Sequence, residues 1–173
     1  FRLRSQARFN NGDPVLAADV KHSFDTLMSA QAAPQFRTLY AEVAAAVVLD
    51  ARTIRFDLRS ANPELPLIIG GMPVFSRQWG RDASGVSKPF DQIVTDAPIG
   101  SGPYRIGAVV FGRDISYERR PDYWARDLNV RRGMFNFDRI TYRLYKDSTA
   151  QLEGFQAGEF DFIQAFIARE WAK

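Results

Sequence analysis

Apolar and polar residues alternate, or recur at helical spacing, through the first sixty residues of the chain. Residues 1–9 alternate with the period of a half-buried strand, and so do residues 43–49 and 53–58. The last two runs flank a short polar turn, so they predict a hairpin. Over residues 17–29 the apolar residues recur every three or four positions, which predicts an amphipathic helix.

Proline and glycine mark the ends of the elements that follow. The Asn-Pro-Glu sequence at residues 62–64 combines a capping residue, a proline and an acid, and therefore predicts a helix start. The glycine pair at residues 70–71 is expected to end that helix. A Gly/Pro segment, residues 98–103, then opens a strand over residues 104–111. We expect the first residue of this strand, Tyr104, to face inward.

The Gly/Pro segment also marks an expected boundary between two subdomains. A polar run over residues 81–96 precedes it, and short strands and turns follow it. We expect a smaller subdomain over residues 1–97 and a core subdomain over residues 98–173. The further predicted elements are strands over residues 114–118, 140–144 and 160–163, an arginine-rich loop over residues 126–136, and a helix from residues 147–149 to Gly158. Together these elements predict an α/β fold of mixed sheets with flanking helices.

Length and composition indicate a globular chain without cysteine chemistry. Of the 173 residues, 46% are hydrophobic and 13% are aromatic, which is typical of a folded domain with a substantial core. The absence of cysteine excludes disulfides and thiolate chemistry, and no apolar run is long enough to predict a transmembrane helix. The chain starts with Phe1 rather than methionine, and we expect it to be an internal piece of a longer protein.

The charge balance leaves two interpretations open. The net charge is +3 and the sequence pI is about 9.4, which would suit a partner with negative charge. The 20 acidic residues are interspersed with the basic ones, so a solvated surface of mixed charge is the simpler interpretation. A basic module that binds nucleic acid or another polyanion stays as the alternative.

No group of side chains in the sequence predicts catalysis. The single histidine, His22, lies opposite the apolar face of its helix and is interpreted as a surface residue. Ser101 lies between two glycines but lacks the spacing of a hydrolase nucleophile. Glu159 and Asp161 are close enough in sequence to pair, although two separate surface acids are the simpler interpretation. We therefore expect no enzyme, no cofactor and no metal site.

Four motifs in a fixed order give the chain a family resemblance. The first lies within residues 1–20 and includes Arg-Phe-Asn-Asn-Gly-Asp-Pro-Val, and the second, residues 98–104, is Pro-Ile-Gly-Ser-Gly-Pro-Tyr. Residues 118–124 and 155–162 are the third and fourth motifs. In this order they resemble the family 5 extracellular solute-binding proteins, the substrate receptors of ABC importers, over the whole chain. Residues 127–138 and the chain end at residues 168–172 resemble the oligopeptide-binding branch of that family.

The resemblance implies a fold and a function that composition alone does not. The chain would be part of the first lobe of a two-lobed periplasmic binding protein. The whole protein would be a monomer in the periplasm, or tethered outside the cytoplasmic membrane. It would bind a peptide between its lobes and deliver it to an ABC permease. A sugar, a muropeptide or a metal chelate is the alternative cargo, and no nucleic acid would be bound.

The resemblance also nominates residues for the wall of the binding cleft. They come from the segment after the first long helix, the loop after the Asn62 helix and the stretch after Asp161. The nominated ligand-binding residues are Phe36, Tyr40, Gly71, Met72, Gln164 and Phe166. Aromatic and methionine side chains offer large or adaptable contact areas, and glycine lets a ligand backbone approach closely. Core packing is the alternative role of each aromatic residue.

Two positions depart from the family pattern. Leu16 stands where the family usually has Thr or Ser, and Arg120 stands where it usually has Asn. Each change removes a residue type that caps helices, which we expect to cost about 1 kcal/mol of stability without affecting function.

Overall fold

The computed structural model divides the chain into two compact units. It describes residues 1–93, 96–166, 168 and 171. Unit 1 comprises Phe1–Arg105 and Arg120–Asn136, and unit 2 comprises Ile106–Arg119 and Phe137–Lys173. Each unit therefore combines two separate stretches of sequence. The expected division into subdomains over residues 1–97 and 98–173 of a lobe stays a prediction.

Unit 1 combines short helices with a hairpin. Its helices are α1 (Ala17–Met28), α2 (Pro34–Leu39) and α3 (Leu65–Gly70), and a single 3-10 turn covers Phe90–Gln92. Strands β1 (Val43–Val48) and β2 (Ile54–Leu58) pair antiparallel, with Val48 opposite Ile54. The predicted helix over residues 17–29 and the predicted hairpin are confirmed, whereas α2 has no counterpart in the sequence-based prediction.

One hydrophobic core joins α1 to the hairpin and to α3. Phe24 and Leu27 of α1 lie in the same buried cluster as Ile54 of β2 and Leu65 of α3. The ring of Phe24 also meets the ring of Phe56 edge-on, with centroids 5.6 Å apart. The apolar residues whose spacing predicts the helix are therefore those that fill the core.

The start of α1 has no side-chain cap, because the Leu16 side chain cannot accept a hydrogen bond. The Asp19 carboxylate accepts the Leu16 N–H at 2.9 Å and pairs with the Arg77 guanidinium at 3.0 Å. Asp19 is itself buried, so this first-turn acid takes over part of the cap's role inside the fold.

Unit 2 contains most of a three-stranded sheet and one helix. Strand β3 (Tyr104–Val110) begins with two residues of unit 1 and neighbours β4 (Asp114–Arg119), which pairs antiparallel with β5 (Arg139–Arg143). Helix α4 (Ser148–Gln156) begins after Asp147, whose carboxylate accepts the Ala150 N–H at 2.8 Å. These three predicted strands and the predicted helix are confirmed. No helix in the described part of the chain is long and apolar enough to cross a membrane.

Two predicted strands are wrong, and one predicted helix begins late. Residues 1–9 form only isolated bridges because a turn, closed by the Ala7 N–H on the Arg4 carbonyl at 3.1 Å, breaks the extended run. Residues 160–163 form no strand among the described residues, and the Phe160 ring instead packs near the Tyr145 ring at 5.5 Å. The Asn62 side chain accepts the Glu64 N–H at 2.9 Å, so a turn precedes α3.

The Gly/Pro segment connects distant parts of unit 1 through its backbone carbonyls. The Asn10 N–H donates to the Gly100 carbonyl at 2.8 Å, and the Ser76 N–H donates to the Ile99 carbonyl at 3.1 Å. The Trp124 indole N–H donates to the Ser101 carbonyl at 3.0 Å. Beyond the segment, Tyr104 is half-buried, which agrees with the expected inward orientation.

Arg120 is a buried cation beside the Gly/Pro segment. Its side chain is 3% exposed and donates to the carbonyls of Gly102 at 3.2 Å and Phe9 at 3.3 Å. It also pairs with Asp122 at 3.1 Å, and this hydrogen-bonded partner lowers the pKa of the Asp122 carboxyl. The expectation that Arg120 is only a lost cap is therefore incomplete, since this arginine ties three segments together.

Candidate functional site

Four of the six nominated residues lie in unit 1, in or beside its hydrophobic core. Helix α2 starts at Pro34 and places Phe36 one turn before Tyr40. Tyr40 and Met72 are members of the core cluster, and Phe36 packs against it. Gly71 is exposed between α3 and Met72. We call Phe36, Tyr40, Gly71 and Met72 the candidate wall.

Burial divides the candidate wall into supporting and accessible positions. Tyr40 is 1% exposed, its ring lies edge-on to Phe24 at 6.2 Å, and burial raises the pKa of its phenol. Met72 is also buried. These two side chains therefore pack within the core. Phe36 is half-buried and Gly71 is exposed, so these two are the accessible positions of the candidate wall.

The candidate wall contains no acidic or basic side chain other than the Tyr40 phenol. The neighbouring Arg37 guanidinium donates to the main-chain carbonyls of Ser29 at 2.7 Å and Ala32 at 3.2 Å. The guanidinium of Arg37 is thus occupied by main-chain carbonyls between α1 and α2. A ligand on this wall would meet apolar side chains and main-chain groups, so its charged ends would need partners elsewhere.

The other two nominated residues, Gln164 and Phe166, belong to unit 2. Both are exposed, Phe166 to 83%, and they follow the stretch at residues 160–163 that forms no strand. The structure therefore does not place them in one unit with the candidate wall, and their role in binding stays a prediction.

The acids near that stretch do not pair with each other. Glu159 accepts a hydrogen bond from the Tyr145 hydroxyl at 2.6 Å and pairs with the Arg143 guanidinium at 3.3 Å. The Tyr145 hydrogen bond, followed by that of Arg143, lowers the pKa of the Glu159 carboxyl. Loss of hydration raises the pKa of the Tyr145 phenol. Glu159 therefore stabilises the fold of unit 2 as a carboxylate.

An aromatic cavity of about 270 Å³ in unit 1 was missed by sequence reasoning. Residues of α1, the turn that follows it and the segment over residues 75–93 line it, and Phe75, Trp79 and Phe90 are among them. The rings of Phe75 and Phe90 stack at 5.6 Å, and the Trp79 ring meets both edge-on. The clustering of these three aromatic residues in an otherwise polar stretch is the signal that the sequence offers.

His22 lies at this cavity. It is half-buried, with its ring edge-on to Phe75 at 5.7 Å, so the interpretation as a surface residue is incomplete. Burial lowers its pKa, and the nearby Asp19 and Asp25 carboxylates act in the opposite direction. The imidazole is therefore favoured in its neutral form near pH 7.

A second cavity, of about 350 Å³, lies against β5 in unit 2. Its lining includes the aromatic residues Phe137, Tyr142, Phe160 and Phe162, with Arg139 and Asp161 among the polar ones. No three acidic or histidine side chains of the described residues are grouped to hold a metal ion.

A solved structure of a much longer protein shares this fold. The PBP AgaA from A. tumefaciens R10, in complex with agropinic acid, superposes with a TM-score of 0.72 at 23% identity. The match covers 93% of this chain and 30% of the solved chain. At this identity the likeness shows the fold alone, and it confirms the predicted α/β class of a periplasmic binding protein.

The sequence identifies the family within that class. The model of bacterial extracellular solute-binding proteins, family 5, matches residues 1–173, and the chain belongs to this family. Its members bind solutes and are not enzymes, so the predicted family and the predicted lack of catalysis are both confirmed. Three residues of the chain end that resembles the oligopeptide-binding branch, Arg169, Glu170 and Ala172, lie outside the described residues.

Curated relatives are several times longer than this chain. The probable peptide-binding protein YejA of Agrobacterium fabrum is 37% identical over 174 residues, covering 99% of this chain and 28% of the relative. The peptidoglycan-binding protein YepA of the same organism is 31% identical over 162 residues, covering 93% of this chain and 26% of the relative. The chain therefore spans about 28% of the length of the first of these relatives.

Proposed function

We propose that the longer protein captures peptides in a cleft between two lobes and delivers them to an ABC permease in the cytoplasmic membrane. It would work in the periplasm, or tethered outside the membrane, and would perform no chemistry. Membership of the family supports the receptor role, and the relative named as a probable peptide-binding protein supports the cargo. Lobe closure would report occupancy to the permease by shifting the population of closed molecules.

The character of the candidate wall is the observation that carries the peptide assignment. Phe36 offers an apolar face, Gly71 leaves the backbone accessible, and Arg37 is already committed to carbonyls of its own chain. Such a wall suits a ligand with repeating main-chain groups and varied side chains, because it selects neither a charged group nor a side chain of one fixed shape. An anionic cargo held mainly by unit 1 would need a free cation here.

A muropeptide is the second candidate cargo. The relative named as a peptidoglycan-binding protein favours it over a sugar or a metal chelate. A muropeptide also carries a peptide, so the same wall would serve its peptide part, while its sugar part would need polar partners that these four residues do not offer.

A thermal-shift screen of the full-length protein tests the cargo class. The panel contains a mixed peptide pool, muropeptides, mono- and disaccharides, nickel and iron chelates, and a short oligonucleotide. We expect the peptide pool to raise the melting temperature and the oligonucleotide to leave it unchanged. Stabilisation by the oligonucleotide that collapses steeply with salt would instead support the polyanion alternative.

Gly71 allows a direct test of the candidate wall. A Cβ at this position would meet only the Leu67 and Ile68 carbonyls, both at 3.6 Å, so Gly71→Leu is accommodated locally while its side chain blocks the approach of a ligand. We expect Gly71→Leu to weaken peptide binding at least tenfold in the full-length protein. Gly70→Leu, at the adjacent exposed glycine, is the matched control. Equal affinities of the two variants would remove Gly71 from the site.

A further inference from the structure

The arginine-rich loop over residues 126–136, here called the basic loop, is ordered by its own backbone. The N–H groups of Arg131 and Arg132 both donate to the Leu128 carbonyl, at 2.8 and 2.9 Å. The Met134 N–H donates to the Arg131 carbonyl at 3.1 Å, and the Asn136 side chain donates to the Gly133 carbonyl at 3.0 Å. Consecutive turns therefore hold the loop in one defined shape.

Phe135 fixes this loop to unit 1 at the cost of backbone strain. Its φ of 61° is the only positive value at a non-glycine position in the described ranges. Aromatic residues rarely adopt this left-handed region, which costs on the order of 1 kcal/mol or more. Its ring packs edge-on to Tyr104 at 6.2 Å and to Tyr123 at 5.9 Å, and these contacts offset the strain.

The strained anchor leaves a surface of apolar and cationic side chains facing solvent. Val130 is 71% exposed and Met134 is 50% exposed. Arg126 pairs only loosely with Asp127, at 3.8 Å, and the Arg131 guanidinium lies over the Phe135 ring at 5.8 Å. The Arg132 guanidinium has no hydrogen bond or ion pair with any residue that the structure describes. A strained, ordered segment that exposes two apolar side chains beside arginines is poorly explained by stability alone.

We propose that the basic loop is a docking surface for an acidic protein surface with a shallow apolar centre. This inference rests on the proposed function, under which the acidic surface belongs to the extracytoplasmic face of the permease. Val130 and Met134 would enter the apolar centre, and the arginines would pair with acids around it. Complementary charge of this kind speeds encounter and sets orientation.

The composition of the basic loop favours a protein partner over a membrane. Arginine and methionine are enriched in protein interfaces and lysine is depleted, and the loop has three arginines and no lysine. Binding to anionic lipid usually takes a cluster of about four to eight cations, or large aromatic anchors that enter the interface. The aromatic residue of this loop, Phe135, instead points its ring into unit 1.

The experiment measures binding of the full-length protein to the permease in nanodiscs of neutral phosphatidylcholine. The double variant Arg131→Glu/Arg132→Glu is compared with the charge-matched control Arg2→Glu/Arg4→Glu, which changes two exposed arginines beside the hairpin. We expect the loop variant to lose at least tenfold in affinity for the permease and the control to lose less than twofold. Peptide affinity by calorimetry should stay unchanged in both.

Val130→Ser/Met134→Ser tests the apolar centre and the exposure of the loop. We expect about a tenfold loss of permease binding, independent of salt, with an unchanged melting temperature. A marked fall in melting temperature would show that the loop packs inside the longer protein, and would overturn the proposal. Stronger binding of wild type to empty discs with 30% phosphatidylglycerol than to the permease discs would overturn it in favour of a lipid surface.

The remaining outcomes separate this proposal from the proposed cargo. Equal losses in the loop variant and the charge-matched control, or no loss in either, would overturn the docking surface while peptide binding still stands. If the wild type binds no peptide but the loop variant still loses the permease, the docking surface stands and the peptide assignment fails.

Discussion

The role of Arg120 depends on hydrogen bonds to residues that are distant from it in sequence. The sequence identifies only a departure from a capping residue. In the fold the same side chain is buried and donates hydrogen bonds to two carbonyls distant from it in sequence, those of Phe9 and Gly102. No local pattern predicts such a contact, because the two carbonyls come together only after unit 1 has folded.

Replacing Arg120 by methionine should therefore be costly. The change removes the donors of two carbonyls and leaves Asp122 without its partner, so we expect a loss of about 2–4 kcal/mol in the free energy of unfolding. Arg119→Met is the matched control, since Arg119 pairs with Asp138 at the surface and such pairs contribute about 0–1 kcal/mol. Urea denaturation measures both variants, and equal losses would contradict the structural role of Arg120.

The half-buried imidazole of His22 predicts a pH dependence with a definite sign. Burial is the largest cause of its lowered pKa, and the unfolded state keeps a value of about 6.5. The unfolded state therefore takes up a proton first as the pH falls, so the contribution of His22 is complete above about pH 7 and declines below about pH 6.5. Denaturation at pH 7.5 and 5.5 should show a smaller loss in His22→Gln than in wild type. Equal losses would mean that His22 does not cause the decline.

At the scale of elements, the sequence predicts those whose pattern is local. Helix α1 follows from its apolar face, the hairpin from two alternating runs around a turn, and α4 from the Asp147 cap. The two wrong strands, over residues 1–9 and 160–163, alternate equally well but find no continuous partner among the described residues. Alternation reports which side chains are buried, whereas a strand also needs a neighbouring backbone, and that depends on the fold.

The start of α1 depends on Asp19, and this dependence can be measured. Its carboxylate serves both the Leu16 N–H and Arg77. Asp19→Ala should cost about 1–2 kcal/mol, the usual loss for a helix cap. Asp25→Ala is the control on the same helix, because it removes only an exposed pair with Lys21, worth a few tenths of a kcal/mol. A cost for Asp19→Ala as small as that of the control would mean that the helix start does not rely on this acid.

At the scale of the whole molecule, the family could be predicted from four ordered motifs, but the binding site could not be completed. The candidate wall lies in unit 1, Gln164 and Phe166 lie in unit 2, and the chain spans about 28% of the length of a curated relative. The second of these motifs, the Gly/Pro segment, acts on the backbone, because its carbonyls accept hydrogen bonds from distant parts of unit 1. Side chains that contact a ligand follow no periodic pattern in sequence. The structure was therefore needed to show that Tyr40 and Met72 are buried, whereas Phe36 and Gly71 are accessible.

Peptide titration of the full-length protein beside the 173-residue chain tests the central claim most directly. A closed cleft buries about 70–90% of a small ligand, and losing even about 4 kcal/mol of those contacts weakens binding about a thousandfold. Isothermal titration with a mixed peptide pool should therefore give saturable micromolar or tighter binding to the full-length protein and none to the chain alone. Micromolar binding to the chain alone, or no peptide binding to the full-length protein, would contradict a receptor that holds peptides between two lobes.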